Sequence, residues 1–276
     1  MRLSLVPPRS YELEILDRPD NRYEDLVPAL RDIARVNHWL GGIATVWRPI
    51  RTLIGRDRLR EFTLLDVGTG GGEIPRAIVS AAARRGILCR AAGVDIDPNI
   101  VRYAVLQSRK TPGPRMPRQG VAPSRASAFP PSSSPQRPPL QRSPPSPAPL
   151  AIVRADAFSL PFPDASFDYV TSSMMFHHFR ESEASVMLTE LARVARRGVV
   201  VNDLARHLVP WAAIRLLTFL GESRMVRHDG PLSVLRGWTA EELLAVARGA
   251  GLDARARVLR LFPYRLVLIV EMGAAE

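Results

Sequence analysis

The sequence predicts an α/β fold with a doubly wound, mostly parallel sheet and an antiparallel hairpin at its C-terminal end. Three observations support this prediction. Strand-like apolar runs alternate with helical patterns through the middle of the chain. A glycine cluster, Gly68 to Gly72, follows the first of these runs and precedes a helical stretch. Two further strand-like runs close the chain with only Pro263 to separate them clearly, which favours a hairpin.

The predicted elements follow from the period of the apolar residues. The strands are expected at residues 62–67, 89–94, 150–153, 167–172, 199–201, 256–262 and 264–271. The helices between them are expected at residues 74–84, 98–108, 183–195 and 239–248. A helix over residues 23–40 and a largely helical segment over residues 204–236 fall outside the alternation. We expect both to cover the carboxyl ends of the strands, where ligands of such sheets bind.

Residues 110–149 interrupt this alternation. They hold 13 of the 25 prolines, six basic side chains and no acidic one, so they should be disordered or extended. We interpret the segment as a tolerated loop expansion within one domain; a proline-rich docking arm for a partner protein is the less favoured alternative. The predicted organisation is an N-terminal helical cover at residues 1–60 and a main domain at residues 61–276 that contains the insertion and a helical lid at 204–236.

Composition excludes several classes of protein. A chain of 276 residues with 46% hydrophobic and 24% charged residues is neither disordered, collagen-like nor disulfide-stapled, and Cys89 has no partner cysteine. The net charge of +11 can mark a nucleic-acid binder, but about half of the excess lies in the insertion, so no nucleic-acid partner is expected. Without a readable signal peptide or an apolar run of about eighteen residues, we expect a cytoplasmic protein with no membrane insertion.

The glycine cluster predicts a cofactor loop. Glycines permit a tight turn and a close approach of the backbone to a ligand, while the first N–H groups of the next helix bind polar atoms. Glu73 stands where a nicotinamide-dinucleotide fingerprint needs a small residue, and Asp66 places a carboxylate where such folds keep an apolar residue. Asp95, at the end of the next strand, is placed to accept both ribose hydroxyls. The pattern favours a nucleoside cofactor without phosphates.

Several motifs in sequence order carry a family resemblance. They are Leu64-Leu-Asp66-Val-Gly68-Thr-Gly70-Gly-Gly72, Gly93-Val-Asp95-Ile-Asp97, Ala155-Asp156-Ala157 and Leu160-Pro-Phe-Pro-Asp164-Ala-Ser-Phe167-Asp168. The chain resembles class I S-adenosylmethionine-dependent methyltransferases, especially the ubiquinone/menaquinone-type and natural-product enzymes. The resemblance covers roughly residues 62–201 apart from the insertion. It implies a Rossmann-like fold, S-adenosylmethionine as the cofactor and methyl transfer as the reaction.

The resemblance also implies roles for individual positions of the cofactor site. The residues expected to hold the amino-acid end of the cofactor are Asp66, Gly68, Thr69, Gly70 and Gly72. Asp95 would bind the ribose hydroxyls, and Ile96 would lie beside the adenine. Asp156 would accept a hydrogen bond from the adenine amino group, and Ala157 would line the adenine face. Ser172, at the end of the fourth strand, would lie at the reaction centre.

Two histidines are candidate catalytic residues, because O-methylation needs a proton acceptor near neutral pH. His178 follows the fourth strand, whereas His228 lies in the predicted lid, where the sequence His228-Asp-Gly-Pro231 favours a turn. A structural role is the alternative for each of them, and for Asn37, which could otherwise touch substrate. No His/Cys/Asp cluster has the spacing of metal ligands, so no metal is expected.

The apolar residues of the predicted lid favour an apolar or aromatic acceptor such as a polyketide, phenol or quinone precursor, methylated at oxygen or carbon. Two other functions remain open from the sequence alone. One is an NAD(P)-dependent oxidoreductase. The other is a non-catalytic cofactor-binding protein in which the proline-rich segment docks a partner.

Overall fold

A seven-stranded sheet forms the centre of the computed structural model, which describes residues 5–39, 41–110, 150–219 and 223–273. Its strands are β1 (Glu61–Val67), β2 (Leu88–Asp95), β3 (Ala151–Arg154), β4 (Phe167–Ser173), β5 (Ala195–Leu204), β6 (Ala256–Leu261) and β7 (Arg265–Glu271). The strand order is β3-β2-β1-β4-β5-β7-β6. Strands β1 to β5 are parallel, and β7 lies antiparallel between β5 and β6. The predicted fold class and C-terminal hairpin are confirmed.

Helices cover both faces of the sheet and one of its ends. They are α1 (Tyr23–Trp39), α2 (Gly42–Arg56), α3 (Glu73–Ala83), α4 (Pro98–Lys110), α5 (Glu181–Val194), α6 (Leu208–Phe219), α7 (Arg224–Arg236) and α8 (Ala240–Gly249). The start of α8 is a capping box, in which the Thr239 hydroxyl accepts from the Glu242 N–H and the Glu242 carboxylate accepts from the Thr239 N–H. None of the described helices is both long and apolar enough to span a bilayer.

Alternate residues of each central strand are buried against opposite helix layers. Phe62 and Leu64 of β1 pack in the cluster that contains α2 and α3, whereas Leu65 and Val67 pack in the cluster that contains α5 and α8. Cys89 is also buried in the first cluster, where burial raises the pKa of its thiol. Because both faces are apolar, ligands are left to the carboxyl edge of the parallel strands.

Helix α2 was not predicted from the sequence. Gly41, Gly42 and Pro49 weaken its helical signal, but Trp47 and Ile50 are buried against the sheet. Tertiary packing therefore stabilises this helix although its local helix propensity is low. The helix covers a face of the sheet rather than its carboxyl edge, so the predicted N-terminal cover of that edge consists of α1.

Two helices follow β5 in the segment expected to be a lid. Together with α1, helices α6 and α7 lie over the ends of β4 and β5. The predicted disordered insertion, apart from Lys110 at the end of α4, lies outside the described residues. The two sides of this gap are close, since the Ser108 hydroxyl donates to the Leu150 carbonyl at 3.0 Å.

Candidate active site

The glycine cluster forms a tight loop between β1 and α3. Gly68, Gly70 and Gly72 have φ angles of 69°, 52° and 74°, in a region that residues with a side chain rarely adopt. A Cβ on Gly68 would lie 2.3 Å from the Met175 sulfur, so this position cannot carry a side chain without rearrangement. A Cβ on Gly70 would meet no atom within 4 Å. The loop is therefore closed towards the protein at Gly68 and open to a ligand at Gly70.

Asp66 is buried at the base of this loop. Its Oδ2 accepts a hydrogen bond from the Thr69 hydroxyl at 2.8 Å, and its Oδ1 accepts one from the Thr171 hydroxyl at 2.7 Å. Burial raises the pKa of Asp66 to about 7, because the two hydroxyls only partly replace its lost hydration. Asp66 thus fixes the loop from within, and a cation brought to the loop would favour its ionised form.

Asp95 joins the end of β2 to the same loop. Its Oδ2 accepts from the Gly70 N–H at 3.1 Å, and its Oδ1 accepts from the Asp97 N–H at 3.2 Å. A carboxylate has about four lone-pair sites, so Asp95 retains acceptor capacity for a ligand. Burial raises its pKa to about 6. The next residue, Ile96, exposes 59% of its surface and offers an apolar face beside the carboxylate.

The end of β3 brings two further candidates to this edge. The Ala155 N–H donates to the Asp95 carbonyl at 3.0 Å, which places the chain that follows beside β2. Asp156 is exposed and its Oδ1 accepts from the Phe158 N–H at 2.9 Å. Ala157 is buried. One exposed carboxylate and one small apolar residue therefore flank the end of β2.

Ser172 of β4 lies beside the last residue of β1, Val67, with which it pairs. The serine is completely buried, and its hydroxyl has no hydrogen-bond partner within the part of the chain that the structure describes. An unsatisfied buried hydroxyl is costly and calls for a partner. Ser172 therefore lies at the strand ends where the resemblance expects it, but none of its surface is open to a ligand in this structure.

A cavity lies next to this edge, between α1, α6, α7 and the ends of β4 and β5. Its volume is about 750 Å³ when the part open to solvent is included. Its apolar walls include Leu16, Ile33, Val36, Leu204, Ile214 and Met225. Asn37 lines the cavity and donates to Glu73 Oε1 at 3.1 Å, which connects the cavity wall to the start of α3.

His177 is held between two carboxylates at the floor of the cavity. Its Nδ1 lies 2.7 Å from Asp203 Oδ1, and its Nε2 lies 3.4 Å from Glu14 Oε1. Burial alone would lower the pKa of His177, but the two carboxylates outweigh it and raise the pKa to about 10. Burial likewise opposes the ionisation of Glu14, but His177 lowers its pKa to about 2. His177 is therefore a fixed cation at neutral pH and not a proton acceptor.

His178 has a different environment. Its Nδ1 lies 2.8 Å from Asp17 Oδ2, so Nε2 is the ring nitrogen left for a further contact. Glu14, His177 and His178 bring ligand-type atoms within 4.8 Å of one another. A metal could bind His177 only after the ring had lost a proton. Asp203 and Glu14 both stabilise the protonated ring and so oppose this loss. The sequence did not indicate this cluster, because Glu14 lies far from the histidines along the chain.

Arg265, the first residue of β7, also lines the cavity. Only 2% of the residue is exposed. Its guanidinium contacts the Met174 sulfur and forms no salt bridge within the described residues. Burial lowers its pKa to about 10, against the influence of Asp203. No sequence motif points to Arg265, because this residue lies in the apolar hairpin at the end of the chain.

Comparison with known proteins supports the resemblance that the motifs carry. A family profile described as a methyltransferase domain matches residues 134–201, which include β3, β4 and α5. This match continues the motifs at the ends of β1 and β2 in the order that the resemblance requires. In its motifs and in the matched residues, the chain resembles the class I S-adenosylmethionine-dependent methyltransferases. It is therefore a methyltransferase with S-adenosylmethionine as its cofactor, and the oxidoreductase and non-catalytic alternatives are not supported.

Solved structures show the same fold. Magnesium protoporphyrin IX methyltransferase from Synechocystis, crystallised with bound S-adenosylmethionine, is 14% identical with a TM-score of 0.54 over 96% of this chain and 100% of that chain. An S-adenosylmethionine-dependent methyltransferase from Aquifex aeolicus is 16% identical with a TM-score of 0.52 over 88% and 97%. At these identities the likeness concerns the fold alone. No curated protein sequence matches the chain.

In this methyltransferase the two candidate catalytic histidines lie in different places. His178 lines the cavity, but His228 does not. The predicted turn at His228 is wrong, because residues 228–231 lie within α7. Ser223 caps that helix, and Asp229 accepts the N–H groups of Ile15 and Leu16, so tertiary contacts outweigh the turn propensity of Gly230 and Pro231.

Proposed function

We propose that this methyltransferase transfers the methyl group to a small apolar or aromatic acceptor, bound in the cavity between α1, α6 and α7. The position of the cavity carries this proposal. It adjoins the ends of β4 and β5, and Asn37 links its wall to the helix that follows the glycine loop. Polyketides, phenols and quinone precursors, methylated at oxygen or carbon, fit such walls. The proposed organisation is a helical cover at residues 1–60, a main domain at 61–276 and a lid at 204–236.

The cofactor cradle in this proposal has two sides. The loop side receives the amino-acid end and comprises Asp66, Gly68, Thr69, Gly70 and Gly72. Both carboxylate oxygens of Asp66 already bind threonine hydroxyls, so Asp66 acts by fixing the loop and by its charge. On the nucleoside side, Asp95 accepts the ribose hydroxyls with Ile96 beside the adenine. Asp156 accepts a hydrogen bond from the adenine amino group, and Ala157 lines the face of the adenine.

When bound, the cofactor supplies a methyl group that its sulfonium already activates. The protein then has to align the acceptor and exclude water. Ser172 would lie at the reaction centre, beside the ends of β1 and β4. For an acceptor hydroxyl, His178 takes the proton at Nε2 while Asp17 holds Nδ1, which is the arrangement that a general base needs. His228 lies off the cavity and has no part in this step.

The proposal is tested with the full chain, S-adenosylmethionine and a series of hydroxylated aromatic compounds of increasing size, with and without a carboxyl group. Mass spectrometry should detect a product heavier by one methylene group, together with S-adenosylhomocysteine. A variant with Ile214→Arg, which places a charge in the apolar wall, should bind the cofactor but lose transfer. Transfer that survives this change would place the acceptor elsewhere.

A further inference from the structure

Arg265 occupies a position that the proposed reaction does not explain. It pairs with Leu204 at the end of β5, so it lies at the edge of the sheet where the acceptor cavity opens. β7 is three strands away from β1 in the sheet order, a separation of roughly 14 Å at the usual strand spacing. The backbone of Arg265 is therefore separated from the glycine loop, and its side chain lines the acceptor cavity.

Among the described residues, none is a direct counter-ion for the charge of Arg265. Asp203 influences it, but Asp203 Oδ1 accepts from His177 Nδ1 and the Leu204 N–H, and Oδ2 accepts from the His177 N–H. Burying a guanidinium without a paired anion is unfavourable. A protein retains such a group where a ligand completes the pair.

Two other buried arginines show how this chain normally treats such a charge. Arg206 donates to the Glu242 carboxylate at 2.6 Å and to the carbonyls of Pro7 and Gly237. Arg236 donates to backbone carbonyls that include those of His177 and His178. Arg265 has only the Met174 sulfur as a hydrogen-bond contact within the described residues. Among these three buried arginines, the one that lines the cavity is thus the one whose guanidinium has no oxygen acceptor within the described residues.

The neighbour of Arg265 is strained. Met174, which also lines the cavity, has a φ of 59° although it carries a long side chain, and its N–H is held by the Asn202 carbonyl at 2.9 Å. Strained backbone of this kind persists where the surrounding structure imposes it, and it occurs often at ligand sites. The strain and the unpaired guanidinium lie side by side at the wall of one cavity.

We propose that Arg265 binds a carboxylate group of the methyl acceptor, so that the acceptor is an aromatic or apolar carboxylic acid. This inference rests on the proposed function. A guanidinium matches a planar carboxylate through two parallel hydrogen bonds. A phosphate is disfavoured, because the carboxylates of Glu14 and Asp229 line the same cavity and would repel a dianion more than a monoanion. Arg265 fixes the orientation of the acceptor by its acid group.

The first test is the thermal unfolding of Arg265→Met and Arg206→Met. Methionine is shorter than arginine but keeps an unbranched, largely apolar side chain and removes the charge. Because Arg265 has no counter-ion before the acceptor binds, Arg265→Met should leave the unfolding midpoint unchanged or raise it. Arg206→Met removes the ion pair with the Glu242 carboxylate and should lower the midpoint. A fall in the midpoint of Arg265→Met would show that Arg265 is structural, and it would overturn the inference.

The second test compares acids with their neutral amides in the presence of saturating S-adenosylhomocysteine. Benzoate, salicylate and hydroxynaphthoate are titrated against the full chain beside benzamide, salicylamide and hydroxynaphthamide, with ligand-observed magnetic resonance as the readout. At least one acid should bind about tenfold or more tighter than its amide, the effect of a charge-assisted hydrogen bond. In Arg265→Met the preference should disappear.

Three results would overturn the inference: equal binding of acid and amide, a preference for the acid that survives in Arg265→Met, or no detectable binding of any acid. S-adenosylhomocysteine affinity is measured in the same samples and should be the same in wild type and Arg265→Met. If the wild type does not bind S-adenosylhomocysteine, the proposed function fails. If it does and acid selectivity is missing, only the assignment of the carboxylate fails.

Discussion

The glycine loop and the acceptor cavity lie at the same edge of the sheet but are built differently. The loop is a continuous piece of chain between β1 and α3, and its main contacts are with the ends of neighbouring strands. The cavity is assembled from α1, the end of β4, α6, α7 and β7, so its walls come from nearly the whole length of the chain. The difference shows that the cofactor half depends on local sequence, whereas the acceptor half depends on long-range packing.

The two regions also treat charge in opposite ways. At the loop, Asp66 and Asp95 accept hydrogen bonds from neutral groups, and burial raises the pKa of both. At the cavity, burial alone would raise the pKa values of Glu14 and Asp203, but His177 lowers both of them. A cationic ligand would stabilise the ionised forms of both carboxylates. A cofactor with a sulfonium and an amino group would supply such a charge. The cavity already contains its cations.

The largest effect is expected where the cavity depends on its internal charges. Asp203→Ala removes the acceptor of the His177 ring, the His177 N–H and the Leu204 N–H. Breaking a buried pair in this way costs about 3–5 kcal/mol of unfolding free energy. Urea denaturation measures this loss of unfolding free energy. Asp164→Ala, which removes a carboxylate with 79% of its side chain exposed, is the control and should have a much smaller effect. A similar small loss for both variants would contradict the role of the cluster.

A second prediction compares His178 and His228, since each has Nδ1 close to an aspartate but only His178 lines the cavity. With a hydroxylated acceptor, His178→Gln should lower the rate at saturating cofactor by about 10²-fold or more, the usual value of a general base. His228→Gln serves as the matched control and should change the rate less than about threefold. A less than about tenfold effect of His178→Gln would favour transfer driven by proximity alone.

The raised pKa values at the loop predict a pH dependence of cofactor affinity. A cation binds better to ionised Asp66 and Asp95, so S-adenosylmethionine affinity should rise between about pH 5.5 and pH 8, by up to tenfold per unit for each proton released. The free protein should behave in the opposite way. An acid whose pKa is raised on folding stabilises the fold while neutral, so this contribution is lost as pH rises towards about 7.

Calorimetry across this range, beside thermal unfolding of the free protein, measures both trends. Asp66→Asn is the control for affinity, because the amide cannot titrate and should flatten the part of the curve near neutral pH. A flat affinity profile in the wild type would mean that the loop carboxylates are already ionised or do not sense the cofactor.

The smallest effect is expected for the insertion, which belongs to neither region. Deleting residues 111–149 and joining Lys110 to Leu150 through a short polar linker should leave folding and cofactor affinity unchanged, because Ser108 already contacts Leu150. Loop length changes closure entropy by only about 0.6 kcal/mol per doubling. Circular dichroism and calorimetry measure the outcome. Loss of folding or of cofactor binding would show that the segment is structural.

The fold and the cofactor loop could be predicted from the sequence because both depend on short, local patterns of residues. The alternation of apolar runs specifies the strands, and a run such as Asp66 to Gly72 places its functional groups through local geometry. Helix α2 was not predicted because the packing of Trp47 outweighs the low helix propensity of Gly42 and Pro49. The prediction for His228 was wrong because contacts of Asp229 with the N-terminal segment hold Gly230 and Pro231 in a helix.

The polar groups of the acceptor cavity could not be read from the sequence. Glu14 lies 163 residues before His177 along the chain, yet the side chains meet at 3.4 Å. Arg265 reaches the cavity only because β7 inserts between β5 and β6. No local pattern encodes such pairs, since they arise from strand order and helix packing. The resemblance supplied the cofactor residues, but it carried no information on the acceptor.

The central claim is that S-adenosylmethionine binds at the loop edge through Asp95. Isothermal titration of the cofactor into wild type, Asp95→Ala and the exposed control Asp164→Ala tests it directly. Removing hydrogen bonds to a charged group should weaken binding to Asp95→Ala by roughly 1.5–3 kcal/mol, about ten- to more than a hundredfold. Asp164→Ala should bind as wild type does. Equal affinity of Asp95→Ala and wild type, with both proteins folded, would contradict the assignment of this edge as the cofactor site.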